Sequence, residues 1–330
     1  MKKMMKRTVS VILAAMMVGM LIIGCGSGQK QDDVTVRVGA LSGPTAMGLV
    51  NLMKDAENGT TENKYEFAEL STDPAAFAAP LAKGEIDIAA VPANLASVLY
   101  HNTEGQIQVI AIGVLSVLNV VERGEQVQSV SDLKRQTIYA TGQGAVPEYT
   151  LRYLLVQNGI DPDADLTIRW CSDTTEALSY VTEDENAIAM LPQPFATIAM
   201  TKVEGLRMAL DLNEEWGKVT SESKPITGVV VVRKEFAKDH PNAVKVFLEE
   251  YRGSVEKTVS APEDTAALIE EYGIVPAAKA AQKALPGCHL TYETGAEMKA
   301  DLEGFYKILS DLEPKSIGGS LPDDDFYYIP

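Results

Sequence analysis

The stretch VTVRVGALSGP, residues 34–44, decides how the rest of the chain is interpreted. Its first eight residues alternate between apolar and polar side chains and end in an apolar run, which predicts a β-strand. Ser42 and Gly43 suit the cap of a following helix, and Pro44 suits its first turn. We therefore predict a strand that leads directly into a helix ending at the stop signal of residues 58–59.

The same order of strand, turn and helix recurs along the chain. Further strands are predicted at residues 65–71, 86–91, 106–122, 137–140, 166–171, 187–191, 206–210 and 227–233. Helices alternate with these strands, and the chain from Glu235 onward is predicted to be helical. Such alternation predicts an α/β fold with largely parallel sheets.

The predicted elements fall into two sets, which we assign to two lobes. β-rich segments near residues 119–123 and 223–228 connect the sets, so the chain is expected to cross between the lobes twice. Lobe I is predicted to comprise residues 34–122 together with 228–330, and lobe II residues 123–227. The helical C-terminal segment would then return to cover lobe I, and a cleft would lie between the two lobes.

Composition and charge exclude several functions. The 330 residues carry 46 acidic and 29 basic side chains, a formal net charge of −17, and three cysteines. A protein that binds nucleic acid needs a basic face for the phosphates, so no nucleic-acid partner is predicted. Three cysteines are too few for a disulfide framework in a chain of this length. Cys171 and Cys288 are interpreted as free thiols, with a disulfide between them as the alternative.

The N-terminus has the features of a secretion signal. The first 24 residues hold four basic side chains and no acidic one, which leaves the rest of the chain at −21. Residues 11–23 form an apolar run that is too short to cross a bilayer as a helix. The following Gly24-Cys25 resembles the end of a bacterial lipoprotein signal. We therefore predict a signal peptide at residues 1–24, lipidation at Cys25 and a flexible tether at residues 25–33. An uncleaved signal anchor is the alternative.

Four loops are candidates for a ligand site, because each follows a predicted strand and opens a helix. In open α/β sheets, ligands bind beyond the carboxyl ends of the strands, at helix N-termini. Two loops fall in each predicted lobe, so together they would face one cleft. A plain turn before a helix is the alternative for any single loop. The candidate ligand-binding residues are Ser42, Gly43, Pro44, Thr45, Pro92, Asn94, Gly142, Gln143, Gly144, Pro192, Gln193 and Phe195.

These loops narrow the chemistry of the ligand. None of them contains lysine or arginine, so an anion would have to rest on helix N-termini and neutral donors. Glu148, at the start of a predicted helix, could instead meet a cationic group. The three histidines are scattered without metal-ligand spacing, and no catalytic or cofactor-binding motif is complete. We predict no metal, no cofactor and no reaction.

The order of several short segments resembles the type II solute-binding proteins of ABC importers. The segments are LAKGEIDIA at residues 81–89, VSDLK at 130–134, LPQPF at 191–195 and FAKDHP at 236–241. The chain is similar to the branch that binds nitrate, sulfonates and thiamine precursors. It departs from that branch at Gln193-Pro194-Phe195, where Glu-Pro-Trp is more frequent, and this departure leaves the ligand class open.

The resemblance implies a two-lobed type II periplasmic-binding-protein fold with two crossover strands and a helical C-terminal segment. It implies capture of a small polar or heteroaromatic solute, such as a sulfonate, nitrate or a pyrimidine, and delivery to a permease and an ATPase. The protein would be a monomer, lipid-anchored at the extracytoplasmic face of the bacterial cell membrane. The alternatives are a lyase or synthase that reuses the fold, with Glu148 or His101 as base, and a sensor or adhesin without transport.

Overall fold

The computed structural model of the protein describes residues 34–329. The predicted signal peptide, the lipidation site Cys25 and the tether lie outside the described residues. Within them the strands are β1 Thr35–Ala40, β2 Lys64–Phe67, β3 Ile88–Pro92, β4 Ile107–Leu115, β5 Leu118–Glu122, β6 Thr137–Ala140, β7 Thr167–Trp170, β8 Ile188–Pro192, β9 Arg207–Asp211, β10 Ile226–Arg233 and β11 Leu290–Glu293.

Helices connect most of these strands along the chain. The α-helices are α1 Pro44–Met47, α2 Val50–Glu57, α3 Ala78–Lys83, α4 Ala93–Asn102, α5 Val146–Gln157, α6 Thr174–Glu183, α7 Phe195–Lys202, α8 Leu212–Val219, α9 Lys234–Asp239, α10 Pro241–Ser260, α11 Pro262–Glu271, α12 Ala278–Ala284 and α13 Gly295–Leu312. Short 3₁₀ turns lie at Pro74–Phe77, Val130–Leu133, Leu285–Cys288, Pro314–Ile317 and Asp324–Phe326. Helices thus alternate with strands, as the sequence predicts.

Two separate sheets define the two lobes. The first has the strand order β11-β4-β10-β3-β1-β2 and the second has the order β7-β6-β8-β5-β9. In the first sheet β1 pairs in parallel with β2 and β3, and in the second β6 pairs in parallel with β7 and β8. The returning strands β10 and β5 are antiparallel to their neighbours. The predicted α/β fold with two lobes is confirmed.

The first crossing between the lobes comes earlier than the sequence predicts. Strand β5 pairs with β8 and β9 of the second sheet, with Val120 opposite Met190, so residues 118–122 belong to lobe II rather than lobe I. The long apolar run of residues 106–122 is broken at residues 116–117, where the amide of Leu118 donates to Ser116 Oγ. The lobe boundary falls at this break rather than at the polar end of the run.

The second crossing runs from the end of α8 to the start of β10, residues 219–226. The sequence missed α8 itself. Lobe I therefore comprises residues 34–115 and 226–329, and lobe II residues 118–219. The C-terminal segment returns to lobe I as predicted, although it contains strand β11 as well as helices. This strand pairs with the edge of β4, with Leu290 opposite Val114.

Helix α13 packs against elements of both lobes. Its Tyr306 donates to the carbonyl of Ala93 in α4 at 2.8 Å, and its Phe305 ring lies 5.9 Å from the ring of Trp216 in α8. Trp216 in turn lies 4.4 Å from the ring of Tyr153 in α5. One continuous apolar core therefore extends from the first sheet through α13 into lobe II.

The first predicted helix is divided into α1 and α2 at Gly48. A Cβ atom at this position would lie 3.1 Å from Val255 Cγ2 and 3.2 Å from Tyr251 Oη of α10. The close approach of α10 therefore favours glycine at this position, between the two helices. None of the helices between residues 34 and 329 is long and apolar enough to cross a membrane.

Candidate functional site

A cavity of 340 Å³ lies where the two lobes meet the crossing segments. Lobe I contributes four of its residues, and lobe II together with the first crossing contributes the other six. The lining residues are Pro92, Asn94, Leu95, Thr227, Val117, Leu118, Ala145, Val146, Pro147 and Pro192. The volume is at the small end of the ~300–1,000 Å³ range of small-molecule sites. We call this space the interlobe cavity.

The fold explains why these residues meet. Pro92 ends β3 and directly precedes α4, and Pro192 ends β8, with two residues between it and the start of α7. Ala145 precedes α5, which follows β6. Each lobe thus presents the carboxyl ends of its parallel strands, the edge at which α/β sheets bind ligands.

The interlobe cavity is largely apolar. Eight of its ten lining residues have apolar side chains, and the polar ones are Asn94 and Thr227. Asn94 Nδ2 lies 3.4 Å from the carbonyl oxygen of Ser316, so its Oδ1 is the freer end of the amide. The site can therefore enclose an apolar body and offer it a small number of neutral hydrogen bonds.

Three of the predicted site residues line the interlobe cavity, namely Pro92, Asn94 and Pro192. Gln143 and Gly144 line a second cavity of 570 Å³, described below. The remaining seven line neither cavity in the structure of residues 34–329: Ser42, Gly43, Pro44, Thr45, Gly142, Gln193 and Phe195. The sequence did not predict Val117, Leu118 and Thr227 as lining residues, because neither the first crossing nor the start of β10 carries a motif typical of ligand binding.

The first candidate loop is held by the structure of lobe I. The amide of Ser42 donates to the carbonyl of Ser71 at 2.7 Å, and Gly43 caps α1 with a positive φ of 105°. Pro44 is the first residue of α1. Thr45 is buried, and its Oγ1 would lie 3.3 Å from a Cβ atom at Gly228 of β10. These residues pack against the start of the returning strand.

Gln193 joins the lobes rather than lining the cavity. Its side chain is buried, and its Nε2 would lie 2.9 Å from a Cβ atom at Gly287 in the C-terminal segment of lobe I. Its backbone N–H donates to the carbonyl of Val117 at 2.8 Å, and its side-chain Oε1 accepts from the backbone N–H of Thr197. The neighbouring Phe195 is half-exposed. Gly287 is thus the residue that admits the glutamine at the hinge.

The second cavity is charged. It is lined by Gln143, Gly144, Glu148, Tyr149, Arg152, Pro162, Asp163, Leu312 and Glu313. Arg152 contacts Glu148 at 2.7 Å and Asp163 at 3.0 Å, and the second oxygen of Glu148 accepts from the amide of Gly144 at 2.7 Å. Glu148 therefore already has partners for both oxygens, which removes the basis for a role as contact to a cationic ligand.

A third group of side chains connects the lobes at the hinge. His289, just before β11, places Nε2 3.3 Å from Asp211 Oδ2 of lobe II, while its Nδ1 contacts the carbonyl of Ser116 in the first crossing. The hydrogen bond that the imidazole donates to the Asp211 carboxylate is the largest cause that raises the pKa of His289, and burial opposes it. No local sequence pattern predicts this contact, because Asp211 and Ser116 lie far from His289 in the chain.

His101 and the two cysteines of the described residues lie away from the interlobe cavity. His101 Nε2 contacts the carbonyl of Ser320 at 2.8 Å, so this ring packs against the C-terminal loop. Cys171 and Cys288 are both free and buried, as interpreted from the sequence. Burial raises the pKa of the Cys288 thiol to about 12, which makes it unreactive at neutral pH.

Two lobes, two crossings and a cavity at the strand ends define a two-lobed solute-binding protein. The model of the family of ABC transporter, phosphonate, periplasmic substrate-binding proteins matches residues 64–285. The chain belongs to this family of transporter binding proteins, which confirms the resemblance found in the sequence. No curated protein sequence matched the chain.

Solved structures share this fold over nearly the whole length. An ABC transporter protein from Parabacteroides distasonis is 27% identical with a TM-score of 0.74, and the match covers 90% of this chain and 99% of that one. The periplasmic aliphatic sulphonate binding protein SsuA from Escherichia coli is 16% identical, with a TM-score of 0.70 and coverage of 90% and 92%. The alkanesulfonate-binding protein SsuA from Xanthomonas axonopodis, bound to MOPS, is 11% identical, with a TM-score of 0.61 and coverage of 87% and 94%.

Proposed function

We propose that the protein is an extracytoplasmic lipoprotein that captures a small solute in the interlobe cavity and delivers it to an ABC permease and its ATPase. The observation that carries this proposal is the composition of the cavity wall. Residues of both lobes and of the first crossing line one space, so a bound molecule would contact both parts that move when the lobes close.

Closure would turn about the two crossing segments, residues 115–118 and 219–226. Each is short. The first connects β4 of lobe I to β5 of lobe II, and the second connects α8 of lobe II to β10 of lobe I. The ligand favours the closed form because it contacts both lobes only there, and this differential affinity is what shifts the equilibrium. The importer would then distinguish loaded from empty protein by its shape.

Members of the family are transport binding proteins, so we propose capture without chemical change. The Escherichia coli and Xanthomonas relatives are sulfonate-binding proteins by their names, and a small polar or heteroaromatic solute fits the 340 Å³ of the cavity. The protein would act as a monomer, because one chain supplies the whole lining of the cavity.

Thermal unfolding of the mature domain in the presence of unfractionated bacterial metabolite extract tests this function. A ligand at 100 times its Kd adds ~2.7 kcal/mol of stability, which raises the melting temperature by several degrees. We expect the shift, and we expect the bound molecule to be recovered unaltered after denaturation. A molecule recovered in chemically altered form would support an enzyme instead, and the lack of any shift would contradict solute binding.

The anchor is tested separately. We propose that Cys25 becomes the lipidated first residue of the mature protein, because acyl chains on one terminal cysteine give stable membrane attachment. Mass spectrometry of the mature N-terminus should show a modified Cys25. A Cys25→Ser variant should be released from the membrane fraction, and a chain still beginning at Met1 would contradict the prediction.

A further inference from the structure

The side chain of His289 contacts parts of the molecule that lie on different sides of the hinge. Its own backbone is fixed to lobe I, because its carbonyl accepts from the amide of Leu115 at the end of β4. The Nδ1 atom lies 2.5 Å from the carbonyl oxygen of Ser116 in the first crossing, and the Nε2 atom lies 3.3 Å from Oδ2 of Asp211 in lobe II. The ring therefore spans the connection between the lobes.

The carboxylate of Asp211 is equally well fixed in lobe II. Asp211 ends β9, where it pairs with Asn119 of β5, and it caps α8 by accepting from the amide of Asn213 through Oδ1 at 2.8 Å. Each end of the contact between the ring and the carboxylate is thus held by the secondary structure of its own lobe. A rotation about the first crossing would change the distance from Nε2 to Oδ2, so this contact depends on how the lobes are arranged.

The partners of the ring require a proton on each of its nitrogens. A carbonyl oxygen can only accept a hydrogen bond, so Nδ1 must donate to Ser116. An ionised carboxylate can also only accept, so Nε2 must donate to Asp211. A neutral imidazole has a single N–H group, and its other nitrogen would point a lone pair at one of these oxygens. The arrangement of acceptors therefore fits the charged imidazolium.

The other groups around the ring are compatible with this charge. The hydrogen bond to Asp211 is the main cause that raises the pKa of His289, burial lowers the pKa, and the charge of Glu214 in the first turn of α8 raises it further. The adjacent Cys288 stays a neutral thiol, because burial raises its pKa to about 12. On the side of lobe I the ring lines a cavity of 330 Å³. The other residues of that lining do not titrate: Thr258, Val259, Pro262, Leu285, Pro286 and Leu290.

The crossing that holds the ring also forms part of the wall of the interlobe cavity. Val117 and Leu118 line this cavity, and they directly follow Ser116, whose carbonyl contacts the ring. Pro92 of lobe I and Pro192 of lobe II line the same space. The shape of the interlobe cavity therefore depends on the same arrangement of the lobes as the contact of the ring.

We propose that His289 is a positioning residue for solute binding: its protonated ring holds the lobes in the arrangement that forms the interlobe cavity, so solute affinity is higher at acidic pH. The proposal rests on the proposed solute-binding function and adds its regulation by pH. When the ring loses its proton, fewer molecules keep this arrangement, and the apparent affinity falls with that fraction. The effect is fully present below about pH 6.5, the ordinary value for histidine, and it is lost as the pH rises through the higher pKa of the contact.

Equilibrium dialysis between pH 5.5 and 8.5 tests the proposal. The mature protein and its Asp211→Asn variant are dialysed against unfractionated bacterial metabolite extract, and mass spectrometry measures which molecules are enriched on the protein side. The enrichment by wild type is divided by that of the variant at the same pH, so that ionisation of the solute itself cancels. We expect this ratio to fall about threefold over the range, the size of one hydrogen bond of modest net strength.

Asparagine at position 211 keeps an oxygen that can cap α8 and removes the charge that faces the ring. A His289→Asn variant should reproduce the behaviour of Asp211→Asn, whereas the matched control His240→Asn should follow wild type at every pH. A ratio that does not change with pH, with the variants folded by circular dichroism, would overturn the proposal and leave the proposed function standing. If wild type enriches no molecule at any pH, the proposed function itself is contradicted.

Discussion

The two cavities beside α5 differ in how their polar groups are satisfied. In the larger one, the Arg152 guanidinium contacts the carboxylates of Glu148 and Asp163, and Glu148 also accepts from the Gly144 amide, so the cation of this lining is already paired. The smaller interlobe cavity is lined mainly by apolar side chains, which form no ion pairs with one another. A large, charged cavity can therefore be a structural ion-pair network, while a smaller apolar cavity is the better ligand site.

The largest expected effect on ligand affinity comes from filling the interlobe cavity, and filling the charged cavity serves as its control. Ala145→Trp places a large ring in the interlobe cavity, while Gln143→Trp, two residues earlier in the same loop, places it at the charged cavity. We expect Ala145→Trp to weaken binding by 100-fold or more, about 2.7 kcal/mol, and Gln143→Trp to leave it unchanged. Titration calorimetry with the ligand recovered from the extract measures both, and equal losses would remove the contrast.

Removing the central cation of the charged cavity should affect stability instead of binding. Arg152→Met leaves the buried Glu148 carboxylate with only the Gly144 amide as partner. We expect a loss of about 1–3 kcal/mol in the free energy of unfolding, measured with urea, because the carboxylate loses a hydrogen-bond partner in a buried position. The double variant with Glu148→Gln should recover part of this loss. A change in ligand affinity without a change in stability would contradict the structural role.

A smaller effect is expected from the polar group of the interlobe cavity. Asn94→Ala removes one neutral hydrogen bond to the ligand while the apolar wall stays in place. We expect ligand affinity to fall by about 3- to 10-fold, since one such bond contributes about 0.5–1.5 kcal/mol. Gln143→Ala serves as the matched control. The idea that Asn94 orients the ligand fails if calorimetry gives the same Kd for wild type and Asn94→Ala.

The smallest effect is a pH dependence that arises at the hinge. The contact with Asp211 is the main cause that raises the pKa of His289 above its value in the unfolded chain. The protonated ring therefore stabilises the folded protein. This contribution is fully present below about pH 6.5, the unfolded value, and it is lost as the pH rises through the higher folded value. The guanidinium of Arg152 in the charged cavity keeps its charge over the same range.

Urea midpoints of wild type and His289→Asn between pH 5.5 and 8.5 measure this effect. Asparagine tolerates the positive φ of 43° at this position, which limits other disturbance. We expect the wild type to lose stability relative to the variant as the pH rises, and His240→Asn to show the wild-type slope. Parallel curves for wild type and His289→Asn would show that the contact with Asp211 is not energetically coupled to protonation.

The sequence predicted the elements that local chemistry determines. The stretch at residues 34–44 gave β1 and the start of α1, and Asp173 caps α6 by accepting from the amides of Thr175 and Glu176. The loops after β3 and β8 also contribute to the interlobe cavity through Pro92, Asn94 and Pro192. These features depend on alternation, on caps and on proline, all of which are visible within a few residues.

Features that depend on distant partners were missed. Strand β11 is four residues long and is defined by its pairing with β4, and β5 is assigned to lobe II only by β8 and β9. Gln193 was expected at the ligand, but Gly287 leaves room for it on the other lobe. Such contacts are set by tertiary packing, which a single sequence does not display.

The discontinuity of lobe I has a consequence for the order of folding. All five strands of lobe II lie in one uninterrupted segment, so they can pair as soon as that segment has been exported, whereas the first sheet must wait for β10 and β11. The ring of Trp216 gains its cover from Phe305 only when α13 arrives near the end of the chain. A chain cut before Gly295 would lack this cover, so the Trp216 ring would be more accessible to solvent until the last elements are added.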